Sequence, residues 1–168
     1  MNVGDQAPSF SLPDTSGEQH GPDGVTAVVF TCNHCPYALG WHDRLLAVAR
    51  DYEAVTFLLV NPNDAERYPA DSYEAMKERV EADGGWPAPY LRDESQEVAR
   101  AYGAQTTPDV FVLDADGRLR YRGAPDSDYR DPGQDAVWLR DALDAVSKGE
   151  APALAETEPV GCSVKWTQ

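Results

Sequence analysis

The chain has 168 residues, with 29 acidic against 14 basic side chains and a formal net charge of −15. That length suits one domain whose core needs no disulfide staples. The charge argues against nucleic acid and anionic membranes as partners, since both call for positive patches, and no apolar run approaches the ~20 residues of a membrane span.

The chain opens with a polar start and a short alternating segment at Phe10 and Leu12. Pro13-Asp14-Thr15-Ser16-Gly17 reads as a turn, and Glu18 to His20 as the returning arm of a small hairpin. Val25 to Phe30 is nearly continuous, apolar and β-branched, which predicts a central strand buried on both faces. From about Cys35 to Tyr52 the pattern turns helical, with Leu39, His42, Leu45, Leu46 and Ala49 at three- and four-residue spacing. Pro36 is tolerated in the first turn, where its missing N–H has no intrahelical partner to lose. Val55 to Val60 reads as a second buried strand. Ser72 to Asp83 reads as a helix with Tyr73, Met76 and Val80 on one side, stopped by Gly84-Gly85-Trp86-Pro87.

Tyr90-Leu91 is a short strand candidate, and Ser95 to Tyr102 a short helix ended by Gly103. Asp109 to Leu113 is a third clear strand. The Asp114-Ala115-Asp116-Gly117 turn returns it as Leu119 to Gly123. Ala136 to Val146 is the last helix, with Val137, Leu139, Leu143 and Val146 apolar. Beyond Lys148 the tail is rich in Pro, Glu and Ala. Alternating strands and helices followed by a hairpin predict a three-layer α/β fold with a mixed sheet. Catalytic groups then belong at the C-terminal ends of the parallel strands, and Cys32 lies just past such an end.

Met1 to Asp5 has neither the basic start nor the apolar stretch of a signal peptide, so the expected compartment is the cytoplasm. Lys77, Lys148 and Lys165 are the only lysines. An acidic, lysine-poor surface suits a high-salt cytoplasm, or simple solubility by charge repulsion. Three cysteines without a secretion signal do not make a disulfide framework. Two of them form Cys32-Asn33-His34-Cys35, where a strand hands over to a helix. A helix N-terminus carries unpaired N–H groups and the positive end of the dipole, and such a site favours thiolate over thiol. An ordinary thiol of pKa ~8.5 is only about 3% ionised at neutral pH, whereas one of pKa ~7 is about half ionised; that shift is worth ~2 kcal/mol. His34 adds a cation or a donor beside the pair.

Four stretches together resemble the thioredoxin superfamily, and within it the redoxin branch of peroxiredoxin-like proteins and thiol-disulfide oxidoreductases. Gly4 to Leu12 is similar to the opening of alkyl-hydroperoxide-reductase-type domains. Cys32-Asn33-His34-Cys35-Pro36 resembles the thioredoxin redox motif, and Thr106-Thr107-Pro108 the cis-proline loop. Asp114 to Gly117 matches the hairpin that follows it. The tail, Gly161-Cys162-Ser163-Val164-Lys165-Trp166, is similar to the ending of a small group of peroxiredoxin-like proteins. The resemblance implies a thioredoxin-like α/β/α sandwich with a mixed central sheet and an N-terminal hairpin. The redoxin domain is expected over residues 1–148 and the tail carrying Cys162 over 149–168.

It further implies that Cys32 is the nucleophile with a lowered pKa, Cys35 the more buried resolving thiol, and Thr107 with Pro108 the docking edge for an extended substrate. His directly before the second cysteine is a feature of strongly oxidising relatives. Expected partners are a disulfide-bearing protein or small thiol substrate and a thiol or dithiol electron donor, with no cofactor and no metal. Cys162 is a candidate third redox thiol, expected to exchange with Cys32 if the tail folds back; otherwise it is a spare thiol.

Other readings stay open. The pair can be an inert dithiol or a structural bridge. Zinc lacks a second Cys-x-x-Cys, and the copper chaperones of this superfamily space their cysteines by three residues. A peroxiredoxin aligns its peroxidatic cysteine with Cys35 and places Pro seven residues and Thr or Ser three residues before it. Val28 and Cys32 stand there instead, and Arg100, Arg118 and Arg122 compete for the role of peroxide-binding arginine. Tyr37, Trp41, Trp86 and Tyr90 form either core or an apolar platform. His20 and His42 read as ordinary. Thioredoxins also keep a buried acid on the first core strand, and Val25 to Phe30 carries none.

Overall fold

The computed structural model describes every residue from Met1 to Gln168. In chain order the strands are β1 (Leu12–Pro13), β2 (Gln19–His20), β3 (Thr26–Phe30), β4 (Thr56–Asn61), β5 (Tyr90–Arg92), β6 (Thr106–Thr107), β7 (Asp109–Leu113), β8 (Leu119–Gly123) and β9 (Cys162–Ser163). The α-helices are α1 (Pro36–Asp51), α2 (Tyr73–Ala82), α3 (Glu97–Tyr102) and α4 (Val137–Ser147). Short 3-10 turns cover Pro69–Asp71 and Pro132–Gln134.

Every residue of β3 is fully buried. Such a strand needs cover on both faces, which is why it reads as a run rather than an alternation. It pairs in parallel with β4 and antiparallel with β7, giving the sheet order β5-β4-β3-β7-β8. Alternate residues feed two cores. Ala27, Val29, Val110 and Val112 face α1 and α4. Val28, Phe30, Phe111 and Leu113 face α3 and the N-terminal segment. The result is the expected thioredoxin-like α/β/α sandwich, with the small β1–β2 hairpin at its start.

Two helical faces differ from the sequence reading. In α1, Leu45, Leu46 and Ala49 are buried, but Leu39 stands in solvent and the inward line runs through Ala38, Trp41, Leu45 and Val48. Trp41 buries more surface than any competitor on the helix. Its indole N–H also donates to buried Asp126, which draws Arg44 to the same face. In α4, Val137 is exposed and the buried face starts at Leu139.

The tail is part of the fold. Arg122 N–H donates to Ala155 O and Thr157 N–H to Arg122 O, so the tail first runs beside β8. It then crosses to β6, where β9 pairs antiparallel with Thr106 opposite Ser163 and Thr107 opposite Cys162. Val164 is buried in the second core. Beyond it, Lys165 N–H donates to Asn63 Oδ1, and Gln96 Nε2 reaches Pro62 O and Lys165 O while its Oε1 accepts from Thr167. Gln96 adopts φ 65°, an uncommon conformation for a non-glycine residue, offset here by four side-chain bonds to two segments.

Candidate active site

The loop after β3 is fixed by what its middle residues bond. Asn33 N–H donates to Asp71 Oδ1 and Asn33 Nδ2 to Ala70 O. Asn33 Oδ1 accepts from Tyr90 OH and Arg79 Nη1, both at 2.7 Å. Asp71 is fully buried and also accepts from Asn61 Nδ2 and Asn63 Nδ2. His34 Nδ1 lies 2.5 Å from Asp71 Oδ2, without hydrogen-bond geometry. The His34 ring stacks on Tyr68.

A buried acid therefore does stand beneath the motif, although β3 supplies none. It arrives from the 3-10 turn, and the Asn61 and Asn63 amides that hold it come from the end of β4 and just beyond. Arg79 is a second residue that sequence reasoning missed. Only its place beside Val80 on the inward side of α2 hinted at it.

Both sulfurs are buried, and neither is in a disulfide. Cys32 Sγ lies 3.3 Å from Thr107 Oγ1, and Cys35 Sγ donates to Thr107 O at 3.2 Å when protonated. The Thr107–Pro108 bond is cis. Cys162 packs against the Cys32–Cys35–Ala38 cluster, as does Tyr37. The structure thus brings Cys32, Cys35, Thr107 and Cys162 together, with Pro108 adjoining. His34 faces Asp71 and Tyr68 instead of pairing with a sulfur.

The two sulfurs share one proton, and the helix end and a nearby acid bear on them differently. Cys35 is the N-cap of α1, and no side-chain hydrogen bond caps that end. Its pKa is lowered, first by the hydrogen bond from Cys32, then against burial by Cys162 and by the first-turn N–H of Ala38. Cys32 is raised, first because its proton is held by Cys35, then by burial and by the Asp71 carboxylate. The sequence reading expects the lowered pKa at Cys32; in the structure α1 begins at Pro36, so the dipole end meets Cys35, while the Asp71 carboxylate sits by Cys32. Cys162 is raised by burial and by Cys35.

The remaining candidates are committed elsewhere. Arg100 covers Trp166, Arg118 donates to Gly4 O, and Arg122 donates to Met1 O. Trp41 and Tyr90 are core, and Trp86 packs on His42 and Tyr90. His20 pairs with Asp14. Burial, with Arg79 nearby, lowers the His42 pKa to about 4. Cys32, His34 and Asp71 offer ligand atoms within 4.8 Å of one another. Asp71 in this set also accepts from three N–H donors.

A model of the AhpC/TSA family matches residues 3–122. The chain belongs to that family. With AhpC/TSA membership comes thiol-based redox chemistry. Among solved structures, an uncharacterized conserved protein from Geobacillus kaustophilus is 39% identical, with TM-score 0.91 over 99% of this chain and 93% of that one. A hypothetical protein from Sinorhizobium meliloti 1021 is 35% identical, with TM-score 0.91 over 99% and 96%. A protein named as a thioredoxin from Neisseria meningitidis is 23% identical, with TM-score 0.67 over 88% and 92%; it shares the fold. No curated protein matches the chain.

Proposed function

We propose that the chain is a thiol-disulfide oxidoreductase working through Cys35 and Cys32. The observation that carries this reading is geometric: two buried, unbridged sulfurs lie at the start of α1, Cys35 is its N-cap, and both face Thr107 of the cis Thr107–Pro108 loop. The Cys35 thiolate attacks a substrate disulfide, forming a mixed disulfide and releasing one substrate thiolate. Cys32 then attacks the Cys35 sulfur, the Cys32–Cys35 bond forms, and its proton leaves with the second substrate thiol. The His34–Asp71 pair, within 4.8 Å of Cys32 Sγ, stands where that second step needs a transient proton acceptor. A thiol or dithiol donor resets the pair.

Insulin-disulfide reduction tests the reading. The native chain should accelerate it, and Cys35→Ser should abolish it. Cys32→Ser combined with Cys162→Ser should trap mixed disulfides on Cys35. Trapping through Cys32 in a Cys35→Ser chain would reverse the two roles.

The AhpC/TSA family and the Cys35 position also favour a second reading, a thiol peroxidase. No guanidinium bonds to either sulfur, and Arg79 stops at Cys32 O and Asn33 Oδ1. Fast, reductant-coupled turnover of peroxide would promote that reading over the first.

A further inference from the structure

The edge on which an oxidoreductase of this fold would dock an extended substrate is already filled. β9 pairs with β6 at Thr106 and Thr107, and Cys162 takes the register position opposite Thr107. Cys35 Sγ reaches the carbonyl of that same Thr107, and Cys162 packs on the cysteine cluster. A peptide added to that edge as a strand would take its main-chain bonds where β9 now lies. Its sulfur would arrive where Cys162 now sits.

Three further features hold the tail in this place. A Cβ at Gly161 would stand 2.4 Å from Thr107 O and 2.8 Å from Thr107 C, so only glycine permits the approach. Val164, one residue past β9, is buried in the second core and donates its N–H to Gln105 O. Asn63, Asp64, Arg67 and Gln96 then bind the last residues. Such a clamp on both sides of Cys162 is more than a spare surface thiol requires.

We propose that Cys162, carried by β9, is the chain's own occupant of the substrate position and forms a disulfide with Cys35. This rests on the reading of Cys35 as the attacking sulfur, and it replaces the sequence expectation of exchange with Cys32. When Cys35 carries a substrate as a mixed disulfide, the Cys162 thiol attacks the Cys35 sulfur. The Cys35–Cys162 bond forms, the Cys35–substrate bond breaks, and the substrate thiol leaves with the proton. Attack by Cys32 on Cys35 then forms Cys32–Cys35 and returns Cys162 to the thiol. The two pairings hold the same number of electrons, so their exchange needs no further oxidant. An external peptide must displace β9 to reach Cys35, and the tail therefore competes with every protein substrate.

The test treats reduced protein with glutathione disulfide, quenches in acid, alkylates free thiols and maps linkages by mass spectrometry. Cys32→Ser should lose its glutathionyl adduct and accumulate a Cys35–Cys162 disulfide within one chain. Cys32→Ser with Cys162→Ser should keep the adduct on Cys35. Adding Gly161→Ala to Cys32→Ser pushes β9 from Thr107 and should prolong the adduct roughly tenfold or more, because the thiol loses its intramolecular advantage. Cys32→Ala repeats the series should the serine chain fail to fold. An adduct equally long-lived in Cys32→Ser and in the double variant overturns the proposal and leaves the Cys35 reading standing. No adduct on Cys35 in the double variant overturns that reading, and the proposal with it.

Discussion

At the scale of single residues, the site turns on which sulfur holds the charge. In the native chain the first thiol to ionise should titrate below the ordinary ~8.5, and in Cys35→Ser combined with Cys162→Ser the remaining Cys32 should titrate above it. The ultraviolet absorbance of the thiolate reads both; a low value retained in that double variant would return the nucleophile to Cys32. Asp109, beside Pro108, makes a separate prediction. Burial pushes its pKa up to about 7, against one N–H bond from Gln105, and its other oxygen has no partner. In the unfolded chain the group titrates near ~3.9. The native state holds the proton more tightly, so the contribution to stability is complete below pH ~4 and is lost as pH rises through 7. Asp93, also raised by burial, has the same sign. Asp14, Asp64 and Asp114 are held low and act below this window. Between pH ~4.5 and ~6.5 this proton makes native stability fall by up to about 1.4 kcal/mol per pH unit, while buried His42, held near 4, has the opposite sign in the same window, so the two largely offset in the native chain. Asp109→Asn should therefore make stability in denaturant unfolding rise with pH across the window, and a slope equal to that of the native chain would show that Asp109 does not hold the proton.

Among the elements, what could be read from the sequence follows from how local the determining physics is. β7 and β8 are found to the residue, because Asp114-Ala115-Asp116-Gly117 sets a tight turn and Gly117 takes φ 81°. α1 is legible because Pro36 marks its first turn. The face of α1 was less so, since it depends on Asp126 from a loop some eighty residues on. Asp71, Arg79 and β9 were not legible as site parts. Each reaches the motif by tertiary contact, and a two-residue strand has no periodicity to detect. That Cys35, rather than Cys32, is the N-cap of α1 also needed the structure. Asp126 offers a test of how α1 is held. Fully buried, it accepts from Trp41 Nε1, Arg44 Nη1 and the N–H groups of Asp128 and Ala136. Asp126→Ala leaves Arg44 as an uncompensated buried charge, and should cost about 3–5 kcal/mol in denaturant unfolding. A loss below ~1 kcal/mol would mean that water replaces the carboxylate.

For the whole molecule, net charge governs approach to a site that the fold otherwise encloses. The charge of −15 gives the molecule a negative long-range field, while Arg79 bonds Cys32 O and Lys165 lies near Cys162. Such a field selects among disulfides before any contact forms. Glutathione disulfide is anionic at neutral pH and cystamine is cationic, yet both present a similar reactive bond. In the Cys32→Ser, Cys162→Ser chain, each adds to Cys35 with no resolving thiol, so the observed rate is that of the attack alone. Raising ionic strength from ~0.01 to ~0.15 M shortens the screening length from ~30 to ~8 Å. Adduct formation should then speed up several-fold with glutathione disulfide and slow down with cystamine. Opposite responses would make positively charged disulfide partners the favoured class. Equal responses would mean that Arg79 and Lys165 cancel the net field at the sulfur, and that selection begins only once a partner competes with β9 for the edge of β6.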